Sequence, residues 1–141
     1  MTDTDRESAL FDGSINLVDL YVSYAALHRK NVLEEIPNAS ALVLYSGSAP
    51  MRTAGTEYPF RVDSHFYYLT GYQEPDTTLV LVKDEEGGIQ THLFCQPKEL
   101  SKEIWTGKRI GKETAQQRYG MQHTYDNTEL TQRLPVLLQN K

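Results

Sequence analysis

Between Leu17 and Ile36 the apolar positions Leu17, Leu20, Tyr21, Tyr24, Leu27, Val32, Leu33 and Ile36 recur mostly at steps of three and four. One face of a helix requires that spacing, and Pro37-Asn38 stops the pattern. Ser40–Ser46 (SALVLYS) is a short apolar run with Val and Tyr, which reads as a buried strand rather than an exposed one. After the loop GSAPMRTAGTEYP, Val62–Tyr72 gathers aromatic residues ahead of Gly71, a residue suited to a left-handed helix terminus, and is expected to be a short helix. Thr77–Lys83 and Ile89–Cys95 are two further strands, joined by Asp84-Glu85-Glu86-Gly87-Gly88. Glycines accept the positive backbone angles of a hairpin turn, so these strands should pair antiparallel. Residues 98–110 are mixed, Lys112–Tyr119 reads as a helix capped by Gly120, and Met121–Tyr125 as a brief strand. Asp126 or Asn127 is placed to N-cap a last helix in which Glu129 and Arg133 stand four apart. Pro135 removes a donor there and leaves the length of that helix open.

Helix, strand, helix, paired strands, helix, strand and helix in this order imply an α/β fold, a mixed β-sheet flanked by helices. Residues 1–16 are acidic and polar without hydrophobic period and read as a flexible leader. Residues 17–141 form one domain, since a chain of 141 residues suits a single core. Hydrophobic content of 39% and charged content of 23% are ordinary for a globular fold and argue against disorder.

Charge then narrows the partners. The net charge is −5 and the basic residues are scattered, so no Lys/Arg stripe offers itself to phosphates and nucleic acid is not expected. No apolar run approaches the roughly 18–20 residues of a membrane span, and the polar N-terminus is unlike a signal peptide, which points to the cytoplasm. Cys95, the sole cysteine, follows Leu93 and Phe94 and is expected to be a buried, inert thiol.

Self-contained chemistry is hard to find. His28, His65, His92 and His123 fall in four separate elements, and none joins an HExxH, HxH or Cys/His cluster, so the chain offers no metal motif of its own. The acids at 84–86 read as solvated charge on a turn. Gly47-Ser48 fits neither GxGxxG nor GxxxxGK[ST], and Ser46-Gly47-Ser48 lacks the GxSxG spacing of a nucleophile elbow. Two stretches stay dense in groups that bond and stack. One runs from Arg52 to Tyr72 with Arg52, Glu57, Tyr58, Arg61, Asp63, Tyr67 and Tyr68; pairing of Arg61 or Arg52 with Glu57 or Asp63 would pin an irregular loop to the sheet. The other holds Trp105, equally readable as a core cap or as an exposed interface anchor.

Arg52–Lys83, with EYPFR, DSHFYYLTGY and EPD ahead of an apolar strand, closely resembles the N-terminal domain of Xaa-Pro aminopeptidases (aminopeptidase P). Lys98–Gly111 resembles the same family's E-I-W-x-G-x-R loop, here Glu103, Ile104, Trp105, Gly107 and Arg109. The resemblance implies a creatinase-type, ribonuclease H-like N-terminal domain and a catalytic pita-bread domain beyond it. That catalytic domain would bind two divalent metal ions, usually manganese, and release the first residue from peptides with proline second. No catalytic residue and no metal ligand is carried over to this chain. It also implies oligomer contacts and a tryptophan-bearing loop that reaches a neighbouring active site, hence Trp105 and Arg109 as substrate-access residues. Arg52, Glu57, Tyr58, Arg61, Asp63, Tyr68 and Gly71 are carried over as a signature loop of structural character. Gly55 departs from relatives that carry an acid before EYP. Family domains run on for another strand and helix, so the chain reads as a truncated domain whose sheet edge is open to pairing. The chain alone is expected to be inactive, and its partners to be its own catalytic domain, further copies and peptide substrates. A prolidase or creatinase parent, or a free-standing interaction module, are the alternatives that the same residues leave open.

Overall fold

The computed structural model describes residues 17–48, 60–99 and 109–141. The chain runs through helix α1 (Leu17–Glu35), strand β1 (Ser40–Tyr45), helix α2 (Ser64–Thr70), strands β2 (Thr78–Lys83) and β3 (Ile89–Cys95), and helix α3 (Lys112–Tyr119). Strand β4 (His123–Asp126), a 3-10 turn (Asn127–Glu129) and helix α4 (Leu130–Leu137) follow. The sheet order is β1-β2-β3-β4, antiparallel between β1 and β2 and between β2 and β3, and parallel between β3 and β4. The mixed sheet flanked by helices is thus observed, and the boundaries of the elements up to β4 lie within two residues of those expected.

Alternation along the strands divides two cores, because successive side chains of a strand point to opposite faces. Leu79, Leu81, Leu93 and Cys95 face α1, α2 and α3, where they meet Val22, Leu33, Phe66, Leu69, Ala115 and Tyr119. Val80, Val82 and Phe94 face the other way and are packed by Tyr125 and by Leu130, Leu134 and Leu137 of α4. Strand β1 corrects one expectation. Among the described residues it pairs only with β2, and Val43 and Tyr45 remain 41% and 48% exposed, so it is a half-exposed edge strand. Its apolar run resembled a buried strand because Leu42 and Leu44 do face the larger core.

Helix ends follow local chemistry. Asp63 caps α2 by accepting from the Phe66 amide at 3.0 Å, and Gly71, at φ 71°, ends it in the left-handed conformation that a side chain resists. Neither Asp126 nor Asn127 caps the last helix: Asp126 pairs with Lys112 at 3.7 Å and the Asn127 amide donates to the Asp76 carbonyl at 3.0 Å. The 3-10 turn leads into α4 instead, and that helix passes through Pro135 with Arg133 bonded to Glu129 at 3.1 Å. In the β2–β3 turn, Asp84 Oδ1 accepts from the amides of Glu86 and Gly88 at 2.9 and 2.7 Å, so one acid of that cluster builds the hairpin.

Neither α1 nor α2 carries a basic residue in its last turn, and each borrows one. Lys83 of β2 donates to the Leu33 and Ile36 carbonyls at 2.7 and 3.0 Å. Arg29 of α1, only 4% exposed, donates to the Leu69 carbonyl of α2 at 2.7 Å and to the Tyr119 carbonyl of α3 at 3.4 Å. Those carbonyls sit at the negative ends of two helix dipoles. Burial lowers the Arg29 pKa to about 10, which leaves it charged at neutral pH.

The histidines are less separate than their elements imply. Parallel pairing sets His92 of β3 opposite His123 of β4, with rings stacked 4.8 Å apart. His92 Nδ1 and Nε2 lie 3.1 Å from the Tyr125 hydroxyl and the Gln90 amide oxygen, and Arg133 of α4 stands 4.5 Å over the Tyr125 ring. Burial first, then the charges of His123 and Arg133, hold His92 down to about 4.

Two outcomes are expected. Replacing Arg29 by Ala strands two helix-terminal carbonyls in the core, which should lower the unfolding free energy by about 3–5 kcal/mol, with Arg29→Lys recovering part of it. Urea denaturation followed by circular dichroism checks this, and equal midpoints for wild type and Arg29→Ala would refute it. His92 is neutral in the folded chain and titrates near 6.5 when unfolded. Its contribution is therefore present above about pH 6.5 and is lost as pH falls toward 4, up to about 3 kcal/mol. The stability difference between wild type and His92→Gln should shrink across that window; a difference independent of pH would count against it.

Candidate functional site at one end of the sheet

The C-terminal ends of β1, β3 and β4 and the N-terminal start of β2 lie at one end of the sheet. Ligands of open α/β sheets gather beyond the carboxyl ends of strands. Both signature segments spring from that end. The segment with Arg52, Glu57 and Tyr58 follows β1 and returns at Phe60, whereas the segment with Trp105 follows β3 and returns at Arg109. Arg52, Glu57, Tyr58 and Trp105 themselves lie outside the described residues.

Their roots meet on Glu74-Pro75-Asp76. Asp76 accepts the Tyr45 hydroxyl at 2.7 Å and the Gln96 amide at 3.4 Å, while its own amide donates to the Gly47 carbonyl at 2.8 Å. It does so at φ 56°, a left-handed backbone that aspartate tolerates better than most residues. Glu74 accepts the Tyr72 hydroxyl at 3.0 Å on one oxygen and the Ile110 amide at 2.9 Å on the other. Ser46, fully buried, accepts from the Thr77 amide at 3.1 Å through its hydroxyl and from the Asp63 amide at 2.9 Å through its carbonyl. Ser46 and Gly47, which fit no phosphate-loop motif, thus form the junction between β1, α2 and the Glu-Pro-Asp turn.

Arg109 closes the second segment at its base. Its Nη1 donates to the Pro97 carbonyl at 3.1 Å, and Lys98 lies against Gly111, where an added Cβ would come within 3.4 Å of the Lys98 Cβ. Of the remaining signature residues, Arg61 is exposed, and among the described residues no ion pair joins it to Asp63, which is engaged as the α2 cap. Tyr68 is 51% exposed and stacks on His28 at 3.8 Å, on the α1–α2 surface. Gly71 packs beneath Val22 and Tyr21. Sequence reasoning overlooked Glu74 and Asp76 as organisers. Their only signal was an acid on either side of a proline just ahead of a strand.

Below the turn, Tyr72 is fully buried, meets Tyr119 edge to face at 5.0 Å, and has its hydroxyl pKa raised by burial and by Cys95 and Glu74 nearby. Cys95, also fully buried, donates to the Tyr125 carbonyl at 3.5 Å, and burial pushes its pKa up to about 11. The inert thiol expected of this position is what the geometry provides. Among the described residues no three His, Cys, Asp or Glu side chains converge on a point that could hold a metal ion, and no metal-dependent step is assigned to them. No helix among them is long and apolar enough to cross a membrane.

The end of the sheet thus gathers the roots of two segments on one acidic turn. The model of the family "Aminopeptidase P, N-terminal domain" matches residues 25–141, and the chain belongs to that family. It is 34% identical over 110 residues to the Xaa-Pro aminopeptidase of Escherichia coli strain K12, covering 78% of this chain and 25% of that protein. It is 37% identical over 112 residues to the Xaa-Pro aminopeptidase of Haemophilus influenzae, covering 79% and 26%. The solved structure of E. coli aminopeptidase P with the inhibitor Pro-Leu superposes with a TM-score of 0.77 at 32% identity over 82% of this chain and 26% of that one. The chain therefore spans about a quarter of the length of these relatives.

The environment of Cys95 makes a simple prediction. At pH 8 a thiol-selective reagent should modify the folded chain at least about a hundredfold more slowly than the urea-unfolded chain, because the thiolate is scarce and covered. Comparable rates would place Cys95 at a surface.

Proposed function

We propose that this chain is the accessory N-terminal domain of a metal-dependent Xaa-Pro aminopeptidase. The parent releases the N-terminal residue from peptides with proline second, and its hydrolytic centre lies outside this chain, in a catalytic domain bearing two divalent metal ions, manganese in this reading. The domain contributes substrate access and contacts between subunits. Trp105 walls the approach to the active site, and Arg109 holds the base of its segment. The protein acts in the cytoplasm, with its own catalytic domain, further copies of itself and proline-second peptides as partners.

One observation carries this reading. Two signature segments some fifty positions apart in sequence are rooted together on Glu74 and Asp76, in a domain of the aminopeptidase P family. Such an arrangement suits presentation of side chains to a neighbouring centre, because a rigid scaffold positions binding loops while the loops carry specificity.

Hydrolysis of an Arg-Pro-Pro peptide with manganese tests it. The full-length protein should release arginine, and the 141-residue chain at equal concentration should not. In the full-length protein Trp105→Ala should change the preference between tripeptides and longer peptides by about tenfold, the loss of about 1.4 kcal/mol. Hydrolysis by the chain alone would reveal a site within it, and silence of both would favour an interaction module.

A further inference from the structure

The outer edge of β1 has the pattern of a strand that pairs with itself. Ser46, just past the strand, turns its amide inward to the Thr77 carbonyl at 2.8 Å. Bonding direction alternates along a strand, so Leu42 and Leu44 also bond inward to β2, while Ala41, Val43 and Tyr45 turn their amides and carbonyls outward. Among the described residues no strand takes those outward groups. Edges of this kind are normally guarded by a charge, a proline or a bulge, because unpaired strands recruit others. Strand β1 has none of the three: SALVLY holds no charge and no proline, and its register against β2 runs unbroken from Ser40–Lys83 to Tyr45–Thr78. The opposite edge strand, β4, ends in Asp126, paired with Lys112 at 3.7 Å, a charge of the guarding kind.

The strand's own sequence selects the partner. Two identical strands related by a twofold axis normal to the sheet run antiparallel and bring side chains of the same face opposite one another. One register lets all three outward residues bond one another: Val43 opposite Val43, with Ala41 opposite Tyr45 on either side, through about six amide–carbonyl bonds. On one face, Leu42 then falls beside Leu44 of the second copy and extends the larger core, to which both already belong. On the other face, the small Ala41 leaves room for the Tyr45 ring, which the bond from its hydroxyl to Asp76 at 2.7 Å already orients. Val43 and Tyr45, 41% and 48% exposed, are the side chains that such pairing covers. The chain carries a net charge of −5, and an uncharged edge lets two copies meet without like charges opposed. One short strand from each copy buries less than the roughly 1,200 Å² of a stable interface, so the contact is weak and reversible.

We propose that β1 is a homotypic docking edge: two copies of this domain pair antiparallel about Val43 and join their four-stranded sheets into one continuous sheet. The inference gives a place to the contacts between copies proposed above and rests on that part of the reading, independently of substrate access.

Sedimentation velocity of the 141-residue chain between about 10 μM and 1 mM should show a monomer–dimer equilibrium. Val43→Lys sets two like charges on the twofold axis and should raise the dimer Kd by at least about tenfold. Val43→Thr stays β-branched and keeps the backbone edge, and should leave Kd within about threefold. Because Val43 is 41% exposed, both variants should melt within about 4 °C of wild type. Disulfide trapping reads the register separately. Val43→Cys should oxidise to a covalent dimer, since opposed Cα atoms of a bonded pair stand about 5.5 Å apart; Val136→Cys, on the more exposed α4, should not. A chain that stays monomeric throughout this range overturns the proposal. So does a dimer whose Kd is untouched by Val43→Lys, or one trapped by Val136→Cys and not by Val43→Cys. In the full-length protein the two readings separate: assembly that survives Val43→Lys refutes the edge and leaves contacts between copies standing at another surface, whereas a full-length protein that is monomeric throughout removes both.

Discussion

A guanidinium buried without an acid holds the helical layer together. Arg29 leaves α1 and ends on the terminal carbonyls of α2 and α3 within the buried layer, where the remaining contacts of these helices are apolar, while the polar contacts His28–Tyr68 and Arg118–Asp19 join them at the surface. Directional bonds to two helix ends supply the angle at which they pack. Charge is tolerated there because two dipoles point their negative ends at it and because its donors find oxygen in place of the lost water. Lys83 repeats the device between β2 and α1, so that sheet and helices are locked by cations on carbonyls rather than by ion pairs. The ion pairs among the described residues are at the surface by comparison, with Arg118–Asp19 and Arg133–Glu129 both well solvated and worth little in stability.

That frame is what makes the opposite role of the acids legible. With helix ends satisfied by Arg29 and Lys83, Glu74 and Asp76 form no ion pair among the described residues and accept instead from Tyr72, Tyr45 and the neutral donors of loop roots. Asp76 adopts a left-handed backbone to do so, a conformation that costs roughly 1 kcal/mol and persists where surrounding bonds over-determine it. The same turn seats the start of β2 through Thr77 and Ser46, so the loop roots are fixed to the strand at the centre of the fold.

How much of this could be read from the chain depended on the range of the interaction. Local periods and local caps were legible: the α1 stripe, the hairpin glycines, Gly71 and Gly120 closing their helices, and the Glu129–Arg133 pair all depend on residues within one or two turns. Strand β1 was misread as buried because an apolar run reports one covered face well and says nothing of which neighbour lies beyond. Asp126 and Asn127 have the chemistry of caps, yet tertiary partners, Lys112 and the Asp76 carbonyl, claimed them. The His92–His123 stack needed the parallel register between β3 and β4, and Arg29 needed the packing of three helices; neither leaves a trace at any fixed spacing.

The same distinction explains the character of the signature stretch. Within Arg52–Lys83 the described residues serve the frame: Asp63 caps α2, Gly71 ends it, Tyr72 fills the core, Glu74 and Asp76 hold loop roots, and Leu79 to Val82 line both faces of the sheet. A resemblance carried by such residues identifies the domain securely because each has a demanding local environment that few side chains meet.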